Sequence, residues 1–298
     1  GVEIDDTATG QRTGSILLGE YGGTEILMTP DGSRAYVSQM ETARVYEVDA
    51  ATREVLRTFD TDSQWSKALA LSPDGSTLYV ANWTAQDISV IDLETGTVTR
   101  KLASVPAPRS LYATPDGEDL DVAGFEGGEI QKIALDTGLG RVVFDDGGAI
   151  AHLAGDEKRG VVYASDMALG VIWELETETD EVTQLATTDQ KPNTIDLSPD
   201  GAVLFVACRG ANNAVNFNLP GPEWGTVLLI DTESGEPLDA IIGGNQVTGL
   251  DVSREGDTLV FSDVLDDRVR TYHVPPTDEL RAGGGGLHGA HLELLKKQ

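Results

Sequence analysis

The chain has 298 residues, 21 of them basic and 50 acidic, for a net charge of −29. Such a surface repels polyanions, which excludes nucleic acid and anionic membranes as first-choice partners. The single cysteine, Cys208, excludes an internal disulfide and any cysteine-based cluster. No apolar run reaches the roughly 18 residues that would span a bilayer.

In chain order, the N-terminus Gly1-Val2-Glu3-Ile4-Asp5 lacks both Met and the apolar core of a signal peptide, and reads as processed or truncated. Two strands are predicted there, over 2–5 and 12–19. A turn motif then repeats. Thr29-Pro30-Asp31-Gly32 recurs as Ser72-Pro73-Asp74-Gly75, Thr114-Pro115-Asp116-Gly117 and Ser198-Pro199-Asp200-Gly201. Gly155-Asp156-Glu157-Lys158 and Ser253-Arg254-Glu255-Gly256 are degenerate copies. Between the acidic residues 31, 74, 116, 156, 200 and 255 the spacings are 43, 42, 40, 44 and 55. A period of about 40–45 with four short strands per unit is the signature of a β-propeller. In each copy Pro presets φ, Asp bonds its own backbone and Gly supplies φ > 0, so each reads as a hairpin turn.

A second turn is also periodic: Asp49-Ala50-Ala51-Thr52, Asp92-Leu93-Glu94-Thr95-Gly96, Asp136-Thr137-Gly138 and Asp231-Thr232-Glu233-Ser234-Gly235. The clearest unit predicts strands over 67–71, 77–81, 88–92 and 97–102, β-branched and bounded by turn residues. The last unit has a third strand at 268–274, and Pro275 and Pro276 then stop it. The economical solution pairs 12–19 with 268–274 and gives an all-β propeller of six four-stranded blades. Seven blades, with two further strands upstream, is the alternative. The propeller then occupies 1–276. A Gly-rich linker follows at 277–286, and a short amphipathic helix or tail at 287–298.

Ser72-Pro73-Asp74-Gly75-Ser76-Thr77-Leu78-Tyr79-Val80-Ala81-Asn82, followed by Ile88-Ser89-Val90-Ile91-Asp92, resembles the YVTN-type β-propeller repeat family. The likeness is nearest to YncE-like propellers, and Gly221-Pro222-Glu223-Trp224-Gly225 and Gly243-Gly244-Asn245-Gln246 share it. It covers about 2–275 and weakens at Asp119–Ala123 and Gly160–Ala164. The resemblance implies the fold and an extracytoplasmic location (periplasmic, cell-surface or lipid-anchored). It implies little about function, because one fold hosts many activities.

In a propeller, the first strand of each blade lines the central channel. The face opposite the Pro-Asp-Gly turns carries the loops that usually bind. The candidates on that face are Lys67, Asn82, Trp83, Arg109, His152, Asp166, Asn193, Arg209, Asn212, Asn213, Trp224, Gln246 and Asp263. Its cations, in an acidic protein, suit a carboxylate or phosphate, or they bind neighbouring carboxylates and hold the blades in register. Residues 209–224 are a long insertion rich in Asn, and long loops in compact domains tend to be functional. Catalytic motifs are thin. No nucleophile elbow, zinc-protease helix, P-loop or dinucleotide fingerprint is present, and no cofactor is expected. His152 and Arg109 are the candidates for a lactonase-like hydrolase or lyase at the channel mouth. His288 and His291 are a weak metal pair.

The leading reading is a binding scaffold, without catalysis, that takes a protein partner or a small anionic ligand on its loop-rich face. The rivals are the lactonase-like enzyme and a structural surface protein that self-assembles through blade edges or the tail. The distributed acidity suits either adaptation to high salt or an ordinary acidic extracytoplasmic protein.

Overall fold

A computed structural model of the chain describes residues 1–19, 22–283 and 291–297. It falls into two compact units, Gly1–Gly148 and Ala149–Gln298.

The first unit opens with β1 (Val2–Asp6) and β2 (Gln11–Ile16), a two-stranded sheet. Blade 1 is β3 (Gly23–Met28), β4 (Arg34–Gln39), β5 (Arg44–Asp49) and β6 (Val55–Asp60). Blade 2 is β7 (Ser66–Leu71), β8 (Thr77–Asn82), β9 (Asp87–Asp92) and β10 (Thr97–Ala103). Blade 3 is β11 (Pro108–Ala113), β12 (Asp119–Gly124), β13 (Glu129–Ala134) and β14 (Gly140–Asp145).

In the second unit, blade 4 is β15 (Ile150–Asp156), β16 (Val161–Asp166), β17 (Val171–Glu176) and β18 (Val182–Thr187). Blade 5 is β19 (Pro192–Leu197), β20 (Val203–Cys208), β21 (Thr226–Asp231) and β22 (Pro237–Ile242). Blade 6 is β23 (Val247–Val252), β24 (Thr258–Asp263) and β25 (Arg268–His273). Two helices follow, α1 (Thr277–Gly283) and α2 (Leu292–Leu295). Each blade is an antiparallel meander in chain order. The fold is thus an all-β propeller of six blades, as the repeat predicts.

The local chemistry of the repeat is visible in the turns. Ser72 Oγ donates to Asp74 Oδ1 at 2.6 Å, and the backbone N of Ser76 donates to the same oxygen at 3.0 Å. These bonds hold the Asp74 carboxyl at about 2. Gly75 follows at φ 70, where a Cβ would be strained. Middle strands are buried on both faces, so they read as apolar runs rather than alternations. Along β8, Leu78 and Val80 pack with Tyr36, Val45 and Phe59 of blade 1. Tyr79 and Ala81 pack the other way, with Leu111, Leu120 and Val122 of blade 3. In the second unit, Leu204 and Val206 meet Tyr163 and Ile172 of blade 4. Phe205 meets Leu259 and Phe261 of blade 6.

Two expectations change. The sequence pairs 12–19 with 268–274, but β2 bonds to β1, and β25 is the outer strand of a three-stranded sheet. A tight local turn pairs β2 with β1. Thr9 N donates to Asp6 Oδ1 at 2.8 Å and Gly10 N to Asp6 O at 2.7 Å, which delivers β2 straight onto β1. Secondly, α1 occupies much of the stretch read as a linker. Leu280 is buried, and Arg281 Nε bonds Asp231 Oδ2 at 2.6 Å. Of the stretch read as a helix or tail over 287–298, residues 287–290 and 298 lie outside the described residues, and α2 occupies Leu292–Leu295.

Candidate functional site

The first strand of each blade carries a register break near its start. It falls between Gly23 and Ile26 in β3, between Ser66 and Leu69 in β7, and between Pro108 and Ser110 in β11. The same break occurs between Ile150 and His152 in β15, and between Pro192 and Ile195 in β19. A bulge re-aims one side chain out of the pleat. The residues within these breaks include Glu25, Lys67, Arg109 and Asn193, and His152 closes the break in β15, in register with Ser165. Four of the five are candidates from the sequence. Glu25 was not, because a lone acid among 50 acidic residues gave no signal.

In the first unit these residues form a built cluster. The Lys67 ammonium lies 4.2 Å from the centre of the Trp83 ring, and the Arg109 guanidinium 4.6 Å from that of Phe125. Trp83 and Phe125 are themselves 5.2 Å apart at 44°. Such stacked cation–π contacts help to fix both cations. Ser38 Oγ donates to Lys67 O at 2.6 Å, tying blade 1 to blade 2. Leu69 N donates to Glu25 Oε1 at 2.9 Å. Burial of the Glu25 carboxyl raises it from 4.5 to about 7, against the opposing pull of that bond and of the Lys67 and Arg109 charges. Its proton therefore exchanges near neutrality.

Three sequence candidates prove to be internal to their blades. Asn82 ends β8 fully buried. It donates to Asp87 Oδ1 at 2.7 Å and Ser89 Oγ at 2.8 Å, and accepts from Ser66 Oγ at 2.8 Å. Asp166 ends β16, and its Oδ1 accepts from the backbone N of Ala168 and Leu169, both at 2.8 Å. Asp263 ends β24, and bonds Gly244 N at 2.7 Å and Arg270 Nε at 2.5 Å. All three occupy one repeat position, the last residue of a second strand. There a buried polar side chain takes its partners from the flanking strands at Asn82 and from loop backbone at Asp166 and Asp263. Asn193 is also buried, with its carbonyl accepting from Ser165 Oγ at 2.5 Å.

In the second unit the insertion at 209–224 is ordered by its own asparagines. Asn213 Nδ2 donates to Pro220 O at 3.0 Å, and Val215 N to Asn213 Oδ1 at 2.9 Å. Asn218 N donates to Asn216 Oδ1 at 2.9 Å. Asn212 and Asn213 are thus loop residues, the first exposed and the second a turn-former. Gln246 fastens the loop from blade 6: its Nε2 donates to Phe217 O, and its Oε1 accepts from Arg209. The result holds three apolar side chains outward, Val215 at 91%, Phe217 at 59% and Leu219 at 47% exposure. Composition pointed to the loop, but the sequence did not show that its apolar residues face solvent.

Arg209, at the root of the loop, is half-buried. Its guanidinium bonds Gln246, its Nε has no partner, and it forms no ion pair among the described residues. Burial alone lowers its pKa, with no carboxylate beside it.

The tail docks on this loop. His291 Nε2 lies 2.8 Å from Asp189 Oδ2, and both side chains are buried. Trp224 N donates to Leu295 O at 2.9 Å, and Lys297 N to Pro222 O at 3.0 Å. His291 is therefore engaged by Asp189, and His288 lies outside the described residues. Among the described residues no group of three or more His, Cys, Asp or Glu could hold a metal. Cys208 is fully buried, and burial together with the Asp189 charge pushes its thiol far up. It is a core residue, not a nucleophile.

Fold and site together define a β-propeller with cation-bearing loops. The family described as lactonase, seven-bladed β-propeller, matches residues 4–115. Antigen Lp49 of Leptospira interrogans is 33% identical over 284 residues, covering 91% of this chain and 62% of that protein. The chain thus spans less than two thirds of the length of this curated relative. Among solved structures, hydrazine synthase of Kuenenia stuttgartiensis superposes with a TM-score of 0.73 at 19% identity, covering 90% of this chain and 85% of that one. A Bacteroides uniformis protein provisionally described as a 6-phosphogluconolactonase gives 0.73 at 17%, covering 92% and 87%. At these identities the superpositions establish the fold alone. The partial family match and the superpositions support the propeller class and its repeat architecture. No described helix is long and apolar enough to cross a membrane.

Proposed function

We propose that this chain is an extracytoplasmic binding scaffold whose contact is the 209–224 loop and Arg209 beneath it. The observation that carries the reading is a loop held in one shape with Val215, Phe217 and Leu219 outward beside a cation that lacks an anion. Apolar anchors next to a desolvated arginine suit a protein segment that offers apolar side chains and one acidic group. The relative's name, an antigen, supports a location reached from outside the cell. The test is retention of a partner from native extract by the parent chain, by Arg209→Gln and by Val215→Ser/Phe217→Ser/Leu219→Ser. All three chains must show the same far-UV spectrum. Retention by the parent alone supports the reading.

A second reading, a lactone hydrolase, is favoured by Glu25 and by the family match over residues 4–115. In it, Glu25 takes the proton of the attacking water, and Lys67 and Arg109 attract an anionic lactone. Turnover of 6-phosphogluconolactone by the parent, lost in Glu25→Gln, would favour this reading over the scaffold.

A further inference from the structure

A pocket of about 480 Å³ is lined by blade 5, blade 6 and the tail, and by none of the loop-tip residues 213–219. This is within the roughly 300–1,000 Å³ typical of small-molecule sites. Its apolar wall is Trp224, Ile242 and Leu294, and its polar wall is Asp266, Arg268 and Arg270. The backbone of Gly243 and Gly244 forms the floor. A Cβ at 244 would lie 2.2 Å from Asp266 Oδ2 and 2.7 Å from Asp263 Oδ2, so a larger residue there would displace both carboxylates.

The tail builds the apolar wall. Trp224 is held from its backbone by Leu295, and the Lys297 ammonium lies 4.4 Å from the indole centre. Lys297 in turn donates to Gly221 O at 2.7 Å and to Asn245 Oδ1. The polar wall is mostly committed. Arg270 is paired with Asp263, and Asp266 accepts from Asn245 N at 2.8 Å and Asn245 Nδ2 at 2.7 Å. Arg268 differs: it lies two residues before Arg270 on β25, is exposed, and its side chain makes no hydrogen bond or ion pair among the described residues. Its charge reaches Asp266, which also feels Lys297. Three cations thus stand against the two carboxylates Asp263 and Asp266, a local positive balance in a chain of net charge −29.

We infer that this pocket binds a small aromatic carboxylate, its ring on Trp224 and Leu294 and its carboxylate on Arg268. The indole supplies a flat apolar face for a ring. A free guanidinium is matched to a carboxylate by two parallel N–H···O bonds.

The probe is 2-naphthoate, with the neutral isostere 2-naphthamide as control, titrated calorimetrically into the full chain. The amide should bind about tenfold or more weaker, the size of one lost charge-assisted hydrogen bond. Arg268→Gln should weaken naphthoate by a similar factor and leave the amide unchanged. Arg268 is exposed, so this variant keeps the fold. Trp224→Leu should weaken both ligands. The proposal fails if naphthoate does not bind at millimolar concentration, or if acid and amide bind alike. It fails too if Arg268→Gln changes nothing. Loss in Arg209→Gln but not in Arg268→Gln would also overturn it, placing the anion at the loop.

Discussion

Glu25 is a residue whose chemistry departs from what its neighbours in sequence suggest. A carboxyl raised from 4.5 to about 7 keeps, in the folded chain, a proton that the unfolded chain has released. The folded state therefore binds more protons across that interval, and stability falls as pH rises through it. The contribution is present below the ordinary value of 4.5 and lost as pH rises through about 7. Its size is on the order of 1–3 kcal/mol. Glu25→Gln should flatten the fall in melting temperature between about pH 5 and pH 8. An unchanged slope would mean that the carboxyl is ordinary. Asp196 behaves similarly: burial and the Asp251 charge raise it, so the variant removes part of the slope and not all of it. Neither acid was legible in the sequence. Both depend on contacts between first strands, which no local pattern reports. The turn aspartates were legible because Asp74 bonds residues two positions away.

At the scale of elements, the insertion and the tail act on one another. Gln246 holds the loop from one side, and the tail holds it from the other: Lys296 through its isolated bridge with Glu223, Leu295 through Trp224 N and Lys297 through Pro222 O. Truncation after Gly283 should free Trp224 and raise amide hydrogen exchange across 209–225, with β20 and β21 unchanged. Equal protection of the loop with and without the tail would show that Gln246 and the asparagines suffice. Strand positions were largely readable: the expected 77–81 and 97–102 became β8 and β10 with one extra residue each. The helix α1 was not, because Gly-rich composition hides the burial of Leu280 and the Arg281–Asp231 pair that hold it. The direction of Asn82, Asp166 and Asp263 was also hidden. A position near a loop does not say whether a side chain faces solvent or caps the turn from within.

For the whole molecule, charge and repeat dominate. With a net charge of −29, like-charge repulsion opposes the folded state in dilute buffer. Melting temperature should rise as NaCl goes from about 0.05 M to above about 1 M, because screening shortens that repulsion to roughly 3 Å. A flat or falling curve would mark an ordinary acidic protein. The six-blade architecture was readable from turns spaced near 42 residues. The partner of β2 was not, since sheet pairing at a chain end is set by which edge a local turn delivers first. The claim that joins these scales is recognition through the 209–224 loop. It is tested most directly by the amount of partner retained from native extract, at near-physiological salt, by the parent and by Val215→Ser/Phe217→Ser/Leu219→Ser. Retention is predicted to fall about tenfold or more, as when central apolar anchors are lost from an interface. Equal retention by the two chains, or none by the parent, would contradict it.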